Sequence, residues 1–285
     1  MSKAEKLRTL LAQQGSLVLP GCYDALTARL IERAGYKAAF MGGFAVSAAR
    51  LGAPDTGLIS YAEMVDQGRN ICAAVDFPVI GDGDTGYGNA VNVQRTVNGY
   101  AQAGFACVMI EDQVSPKKCG HTQGKEIISR DEAFSRIRAA VDAREGGADI
   151  LIMARTDANA TDGMEEAVIR AQNFAEIGAD ITFLEAPLDE DEMRRYCKEV
   201  PGPKMANMVE GGSTPFLPPA ELEAIGYKII IYPISLMLAG MKTMEDALST
   251  MTSGSHPEGL AEFSHLRDVV GFPAYYDVEK KYVCN

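Results

Sequence analysis

Four phrases recur along the chain with one grammar: "ERAGYKAAF", "AQAGFACVM", "AEIGADITF" and "EAIGYKIII". Each begins as the end of a helical pattern, passes through a glycine and enters a short apolar run. Glycine is the residue expected just past a helix C-terminus, where the backbone turns left-handed. A repeated helix–glycine–strand unit restricts the fold, because parallel strands need crossover helices packed on their outer faces. The runs that read as strands are "SLVLPGC", "KAAFMGG", "PVIGDGD", "CVMIEDQ", "DILIMARTD", "ITFLEA", "KMANMVE" and "KIIIYPI". None alternates strictly, as suits strands buried on both faces. Amphipathic segments lie between them; "RDEAFSRIRAAVDAR" puts Phe134, Ile137 and Val141 on one face. Eight such units predict an α/β fold of the (β/α)8, or TIM barrel, type over residues 1–253. An open doubly wound sheet is the alternative, but neither GxGxxG nor a Walker motif supports nucleotide binding.

The 285 residues suit one such barrel of ~250 residues plus a tail. After Ser253, Gly, Ser and Pro mark a junction, and residues 254–285 predict a helical extension packing on the barrel or a neighbouring subunit. Ser129 is an expected N-cap, with Glu132 completing a capping box.

Composition excludes several function classes. Lysine and arginine number 27 against 39 acidic residues, a net charge of −12 with no basic cluster. Nucleic acids and anionic membranes need a basic footprint that is missing here. The six cysteines are widely spaced without a CxxC pair, which reads as free thiols in a reducing compartment. The N-terminus reads as a short amphipathic helix without a signal-peptide core. The longest apolar run, Ile229 to Met241, is interrupted by Pro233 and falls short of the ~20 residues of a membrane span. These features predict a soluble cytoplasmic protein, with an organelle as the alternative.

Strand after strand ends in polar groups: Asp82 and Asp84, Glu111 and Asp112, Arg155 and Asp157, Glu185, Asn207 and Glu210. In a barrel all C-terminal strand ends face one rim, so these groups predict one active site. Asp82 and Asp84, two apart, would point to the same side of a strand. Two carboxylates held together repel unless a cation joins them. Oxygen-only donors, with Glu111 closing the next strand, favour Mg²⁺ or Mn²⁺ over zinc. Just after the fourth strand comes "SPKKCGHTQGK", which sets Cys119 beside Lys117 and Lys118 and near His121. Positive neighbours favour the thiolate, so Cys119 is the expected reactive group, on a segment whose glycines let it move.

These motifs together resemble the phosphoenolpyruvate mutase/isocitrate lyase superfamily, from "GCYDALTARLIERAG" to "YPISLMLAGM". "KKCGH" resembles the lyase branch, and "GDGDTGYGN", "IEDQ", "MARTDA" and "ANMVEGG" match in order and spacing. The resemblance implies that Asp82 and Asp84 bind Mg²⁺ partly through water, with Glu111 and Asp55 holding the metal's water shell. It implies that Gly42 and Gly43 offer backbone N–H groups to substrate. Arg155, Glu185 and Asn207 would bind the distal carboxylate of a small dicarboxylate. Cys119 would be the proton donor, assisted by His121 and the backbone at Gly120, on a gating loop. A homotetramer is implied as well, often with the last barrel helix swapped between subunits.

Within that branch the chain looks closer to 2,3-dimethylmalate lyase, the petal death protein and oxaloacetate hydrolase than to methylisocitrate lyase. Arginines that would hold a third carboxylate are replaced by Leu238 and Phe263, and desolvating an unpartnered carboxylate costs several kcal/mol. Phe44, Pro233, Leu236 and Leu238 are expected around the substrate's alkyl groups. The expected activity is retro-aldol cleavage of a 2-alkylmalate-type C4 dicarboxylate to a 2-oxo acid and a carboxylate. Oxaloacetate hydrolysis to oxalate and acetate is the alternative, then methylisocitrate cleavage. Phosphonopyruvate chemistry is disfavoured by the cysteine motif.

Overall fold

The computed structural model describes residues 1–120 and 124–282. Among them, eight parallel strands close into a barrel in sequence order. They are β1 (Leu17–Cys22), β2 (Ala39–Met41), β3 (Val79–Asp82) and β4 (Cys107–Glu111). Then follow β5 (Leu151–Thr156), β6 (Ile181–Leu184), β7 (Lys204–Asn207) and β8 (Ile229–Tyr232). β8 returns to β1, with Leu17 opposite Ile229 and Pro20 opposite Tyr232. Every strand foreseen from the apolar runs is present, each shorter than its run.

The repeated glycines do what their position suggested. Gly35, Gly104, Gly178 and Gly226 end helices at φ of +89°, +94°, +113° and +120°. Those angles lie in the region that favours glycine, so each helix stops and the chain drops into the next strand.

The barrel interior is filled by Leu19, Phe40, Ile80, Met109, Met153, Phe183, Met205 and Ile231, among others. Ala4 and Leu7, from the N-terminal helix Lys3–Ala12, join the same cluster and plug the N-terminal mouth. Burying side chains of this size contributes roughly 1.5–3 kcal/mol each. Two further clusters lie between the strands and the surrounding helices. With one mouth plugged and the interior packed, a polar opening is left at the C-terminal strand ends.

One detail differs from expectation. Ser129 caps the helix Arg130–Glu145 by accepting from the Glu132 N–H at 3.3 Å. Glu132 does not complete the box; its carboxylate pairs with Arg136 at 2.6 Å, one turn on. A full guanidinium charge at i+4 outcompetes a neutral N–H.

The last barrel helix, Ser235–Thr252, has no buried residue although its apolar side chains are many. Met244 and Leu248 are 60% and 61% exposed. Beyond it lie the helices Phe263–Val269 and Phe272–Tyr282. The first is tied to the helix Ala25–Arg33 by Arg33–Asp268 at 2.5 Å and by Arg29 donating to the Val269 carbonyl at 3.1 Å.

Candidate active site

A cavity of about 210 Å³ opens at the C-terminal strand ends. Its floor is the top of the barrel interior: Phe40, Met109, Phe183 and Ile231. Around it stand Gly42, Gly43, Asp55, Asp82, Cys119, Gly120, Arg155, Glu185, Asn207 and Pro233, all expected from the sequence. Asp84 and Glu111 do not line it, but they touch Lys117 and Arg155, which do. His121 lies outside the described residues. Glu210 stands apart, exposed and bonded to Ser235.

The acidic side is organised around a lysine. Lys117 Nζ lies 2.7 Å from Asp55 Oδ1, 2.8 Å from Asp55 Oδ2 and 2.9 Å from Asp84 Oδ1. The oxygens Asp55 Oδ1 and Asp84 Oδ1 nonetheless lack a well-directed hydrogen bond, so those two contacts are ionic. Asp82 is oriented by two amides, with Gly43 N at 2.9 Å from Oδ2 and Asp84 N at 3.0 Å from Oδ1. The Gly43 N–H, expected to face substrate, is therefore engaged by Asp82 here. Burial pushes the Asp84 carboxyl up to about 6, against Lys117 and with help from Asp82 and Asp55. Burial also drives Glu111 well above the usual carboxylate range, although Arg155 and Lys117 oppose it. Burial alone would lower Lys117; Asp84, Asp82, Glu111 and Asp55 outweigh it and hold the ammonium charged.

The lysines that precede Cys119 in sequence each have an oxygen partner of their own. Lys117 is consumed by Asp55 and Asp84, and Lys118 donates to the Gly124 carbonyl. The joining cation of the acid cluster was already in the chain.

The opposite side is built on Arg155. Its Nε and Nη2 donate to Asp157 Oδ2 and Oδ1 at 2.8 and 3.0 Å. Its Nη1 reaches Glu185 at 3.0 Å, and the guanidinium carbon lies 5.3 Å from the Phe183 ring centroid. Burial would lower this guanidinium, but Asp157, Glu185 and Glu111 keep it well above its ordinary value. Asn207 Nδ2 lies 3.4 Å from Glu185. Two residues missed as functional from sequence hold the Cys119 segment here. Gln113 brackets Lys118, accepting from its N–H and donating to its carbonyl, both at 2.9 Å. Lys125 Nζ donates to the Gly120 carbonyl at 2.6 Å and to Asp157 at 3.0 Å. Lys125 lay within "SPKKCGHTQGK" and Gln113 within "IEDQ", so the signal was adjacency to residues already chosen.

Phe44 and Pro233 line the cavity as expected, joined by Val209 and Ile234. Leu236 instead lines a second cavity of about 540 Å³, beside Tyr23, Leu30 and Tyr36. Leu238 lines neither. Both leucines belong to the uncovered last helix, which turns away from the mouth.

The donors fit a hard divalent ion. They are all oxygens, and Glu111 Oε1 is buried without a hydrogen-bond partner. Among the described residues, the carboxylates of Asp55, Asp82, Asp84, Glu111, Asp157 and Glu185 outnumber Lys117, Lys125 and Arg155. Binding a dianionic substrate there needs added positive charge. No group of three or more Asp, Glu, His or Cys side chains among the described residues is placed to grip an ion directly.

Residues 7–252 match the family described as phosphoenolpyruvate phosphomutase. The chain belongs to this family. Among curated members of the phosphomutase family, 2,3-dimethylmalate lyase of Eubacterium barkeri is 46% identical over 99% of both chains. A carboxyvinyl-carboxyphosphonate phosphorylmutase of Arabidopsis thaliana is 39% identical over 97% of this chain and 84% of its own. Solved relatives agree in fold. A 2,3-dimethylmalate lyase superposes with a TM-score of 0.94 at 35% identity, over 99% of this chain and 95% of that one. Oxaloacetate acetylhydrolase with 3,3-difluorooxalacetate gives 0.94 at 34%, over 98% and 97%. Phosphonopyruvate hydrolase with oxalate and Mg²⁺ gives 0.88 at 29%, over 99% of each.

Proposed function

We propose that this chain is a carbon–carbon lyase, dependent on Mg²⁺ or Mn²⁺. Its substrate is a 2-alkylmalate-type C4 dicarboxylate resembling 2,3-dimethylmalate, cleaved to a 2-oxo acid such as pyruvate and a second carboxylate. The observation that carries this reading is the meeting of Cys119 and Gly120 with Arg155 and Glu185 across a small cavity that also reaches Asp55 and Asp82. The 46% identity to 2,3-dimethylmalate lyase supports the same reaction class.

Asp82 and Asp84, with Glu111 and Asp55 acting through water, would hold the divalent ion, whose chemistry there is that of a Lewis acid on the substrate's C1 carboxylate and 2-hydroxyl. The chain's own groups supply the rest. As C2–C3 breaks, its electron pair moves towards the distal carboxylate, and C3 becomes basic. Arg155 and Asn207 are preorganised donors for that charge. Cys119 gives its S–H proton to C3 and is left as a thiolate; the proton that the 2-hydroxyl loses in becoming the 2-oxo group balances the one that restores the thiol before the next turnover. Phe40, Met109 and Phe183 keep water away from below. Phe44, Val209, Pro233 and Ile234 form an apolar wall suited to methyl groups. Leu238 and Phe263, standing where the resemblance places arginines for a third carboxylate, argue against methylisocitrate.

The last barrel helix, bare in the single chain, supports a homotetramer that exchanges this helix between copies. No described helix is long and apolar enough to cross a membrane. Unpaired Cys22, Cys72, Cys107 and Cys197 suit the cytoplasm.

Oxaloacetate hydrolysis to oxalate and acetate is the second reading, favoured by the 0.94 superposition on oxaloacetate acetylhydrolase. One panel separates them: 2- and 3-alkylmalates, 2-methylisocitrate, oxaloacetate and phosphonopyruvate with Mg²⁺, followed by release of 2-oxo acid, oxalate or phosphate. Alkylmalates are expected to be cleaved fastest, and Cys119→Ala to abolish cleavage while leaving Mn²⁺ affinity unchanged. Turnover of phosphonopyruvate alone, or near-native cleavage by Cys119→Ala, would end this reading.

A further inference from the structure

The loop that carries the acid pair is bent against its own preference. After β3 the chain passes through Asp84 at φ +47° and Tyr87 at φ +59°. Residues with a side chain adopt that left-handed region only when something holds them there.

Three side chains hold this loop, all from outside the barrel. Tyr100 Oη donates to the Asp82 carbonyl at 2.6 Å. Thr96 Oγ1 donates to the Gly86 carbonyl at 3.0 Å, and Arg136 Nη1 to the Thr85 carbonyl at 3.2 Å. Tyr100 and Thr96 come from the helix Ala90–Ala103, Arg136 from Arg130–Glu145. All three are buried. None lines the cavity. Burying polar groups is costly unless they are satisfied; Tyr100 and Thr96 spend their hydroxyl donors on carbonyls of this short loop, and Arg136 spends Nη1 there while Nη2 pairs with Glu132.

We infer that Tyr100, Thr96 and Arg136 are positioning residues that set the acid pair for cation binding. They draw the carbonyls of residues 82, 85 and 86 outwards. The Asp84 N–H then points to Asp82 Oδ1 at 3.0 Å, and that contact with Gly43 N fixes the Asp82 carboxylate. Without the anchors the loop relaxes towards ordinary φ and both carboxylates lose their aim. The inference rests on the reading of Asp82 and Asp84 as the holders of a divalent ion.

Tyr100→Phe removes one oxygen from a packed ring that stacks on Phe105 at 4.8 Å, so the core keeps its shape. In the full-length, metal-free protein, amide exchange of residues 83–86 is expected to rise about fivefold, the ratio one net hydrogen bond corresponds to. The Mn²⁺ dissociation constant, read by electron paramagnetic resonance, should rise by a similar factor. The Mg²⁺ activation constant should follow, with kcat recovered at saturating Mg²⁺. A merely structural role would lower the melting temperature without moving either constant. Thr96→Val should shift exchange and affinity in the same direction and serves if Tyr100→Phe misfolds. Exchange and affinity within twofold of wild type in a folded variant overturn the inference. A wild-type protein that binds no Mn²⁺, with a loop still loosened by Tyr100→Phe, would sink the metal reading and leave the positioning role standing.

Discussion

Gly120 has less room than any neighbour in the site. A Cβ built there would sit 2.6 Å from Arg155 Nη2 and 2.6 Å from the Glu185 carboxyl carbon. The backbone at Gly120 therefore lies directly on the Arg155–Glu185 pair, and its carbonyl is fastened by Lys125. Gly120→Ala would lift the Cys119 segment off that pair. Turnover is expected to fall about 10²-fold, as for misplacements near 1 Å. The melting temperature should hardly move, because the clash sits in a loop outside the packed core. Steady-state rates beside a thermal melt check both halves. At this scale the sequence was legible where a residue's chemistry and its place at a strand end sufficed. Asp82, Arg155, Glu185 and Asn207 were readable on that basis. The pairing of Lys117 with Asp55 was not legible, because the two lie 62 positions apart and only the fold brings them together.

Between elements, charge pairs do the joining that the motif pattern did not reveal. Glu166, on the helix Met164–Ile177, accepts from Arg130 on the preceding helix and from Arg170 at 2.7 Å on its own. Hydrogen bonds from Arg130 and Arg170 lower its carboxyl to about 2, although partial burial resists. The sign follows from the lowered value. The pair contributes its full stability above the unfolded carboxylate pKa of ~4.3 and loses it as pH falls towards 2. Arg130 is solvent-exposed, so the contribution is about 1 kcal/mol after screening. Glu166→Gln should therefore be less stable than wild type at pH 7 by about that amount. The gap should shrink below about pH 4.3 and close as the pH nears 2, as read from urea midpoints. A gap that stays constant with pH would mean that packing, not charge, joins these helices. Helix starts were partly legible. Ser129 was recognisable from its neighbours, but Glu132 turned to Arg136, since local spacing allowed both partners and only charge decided between them.

Across the whole molecule, the barrel was the most legible feature. Apolar runs without alternation and glycine-ended helices leave few other ways to bury both faces of eight strands. The final helix was not legible in the same way. Met241, Met244, Leu248 and Met251 give it an apolar face, as on any barrel helix, yet among the described residues that face is left about half exposed or more. Nearby, the helix Ala25–Arg33 borders an open cavity of about 540 Å³ lined by Leu30, Ile31, Tyr36 and Leu236. In the proposed homotetramer, the exposed apolar helix and the apolar hollow would be the complementary halves of a contact between copies. The double variant Met244→Glu, Leu248→Glu puts two charges on that face without touching the active cavity. Sedimentation velocity should show wild type as a tetramer and the variant as a smaller species. The variant's barrel should keep its far-ultraviolet circular dichroism, because neither residue is buried in the single chain. A variant that sediments with wild type would place the apolar face outside the assembly and leave the bare helix without a partner.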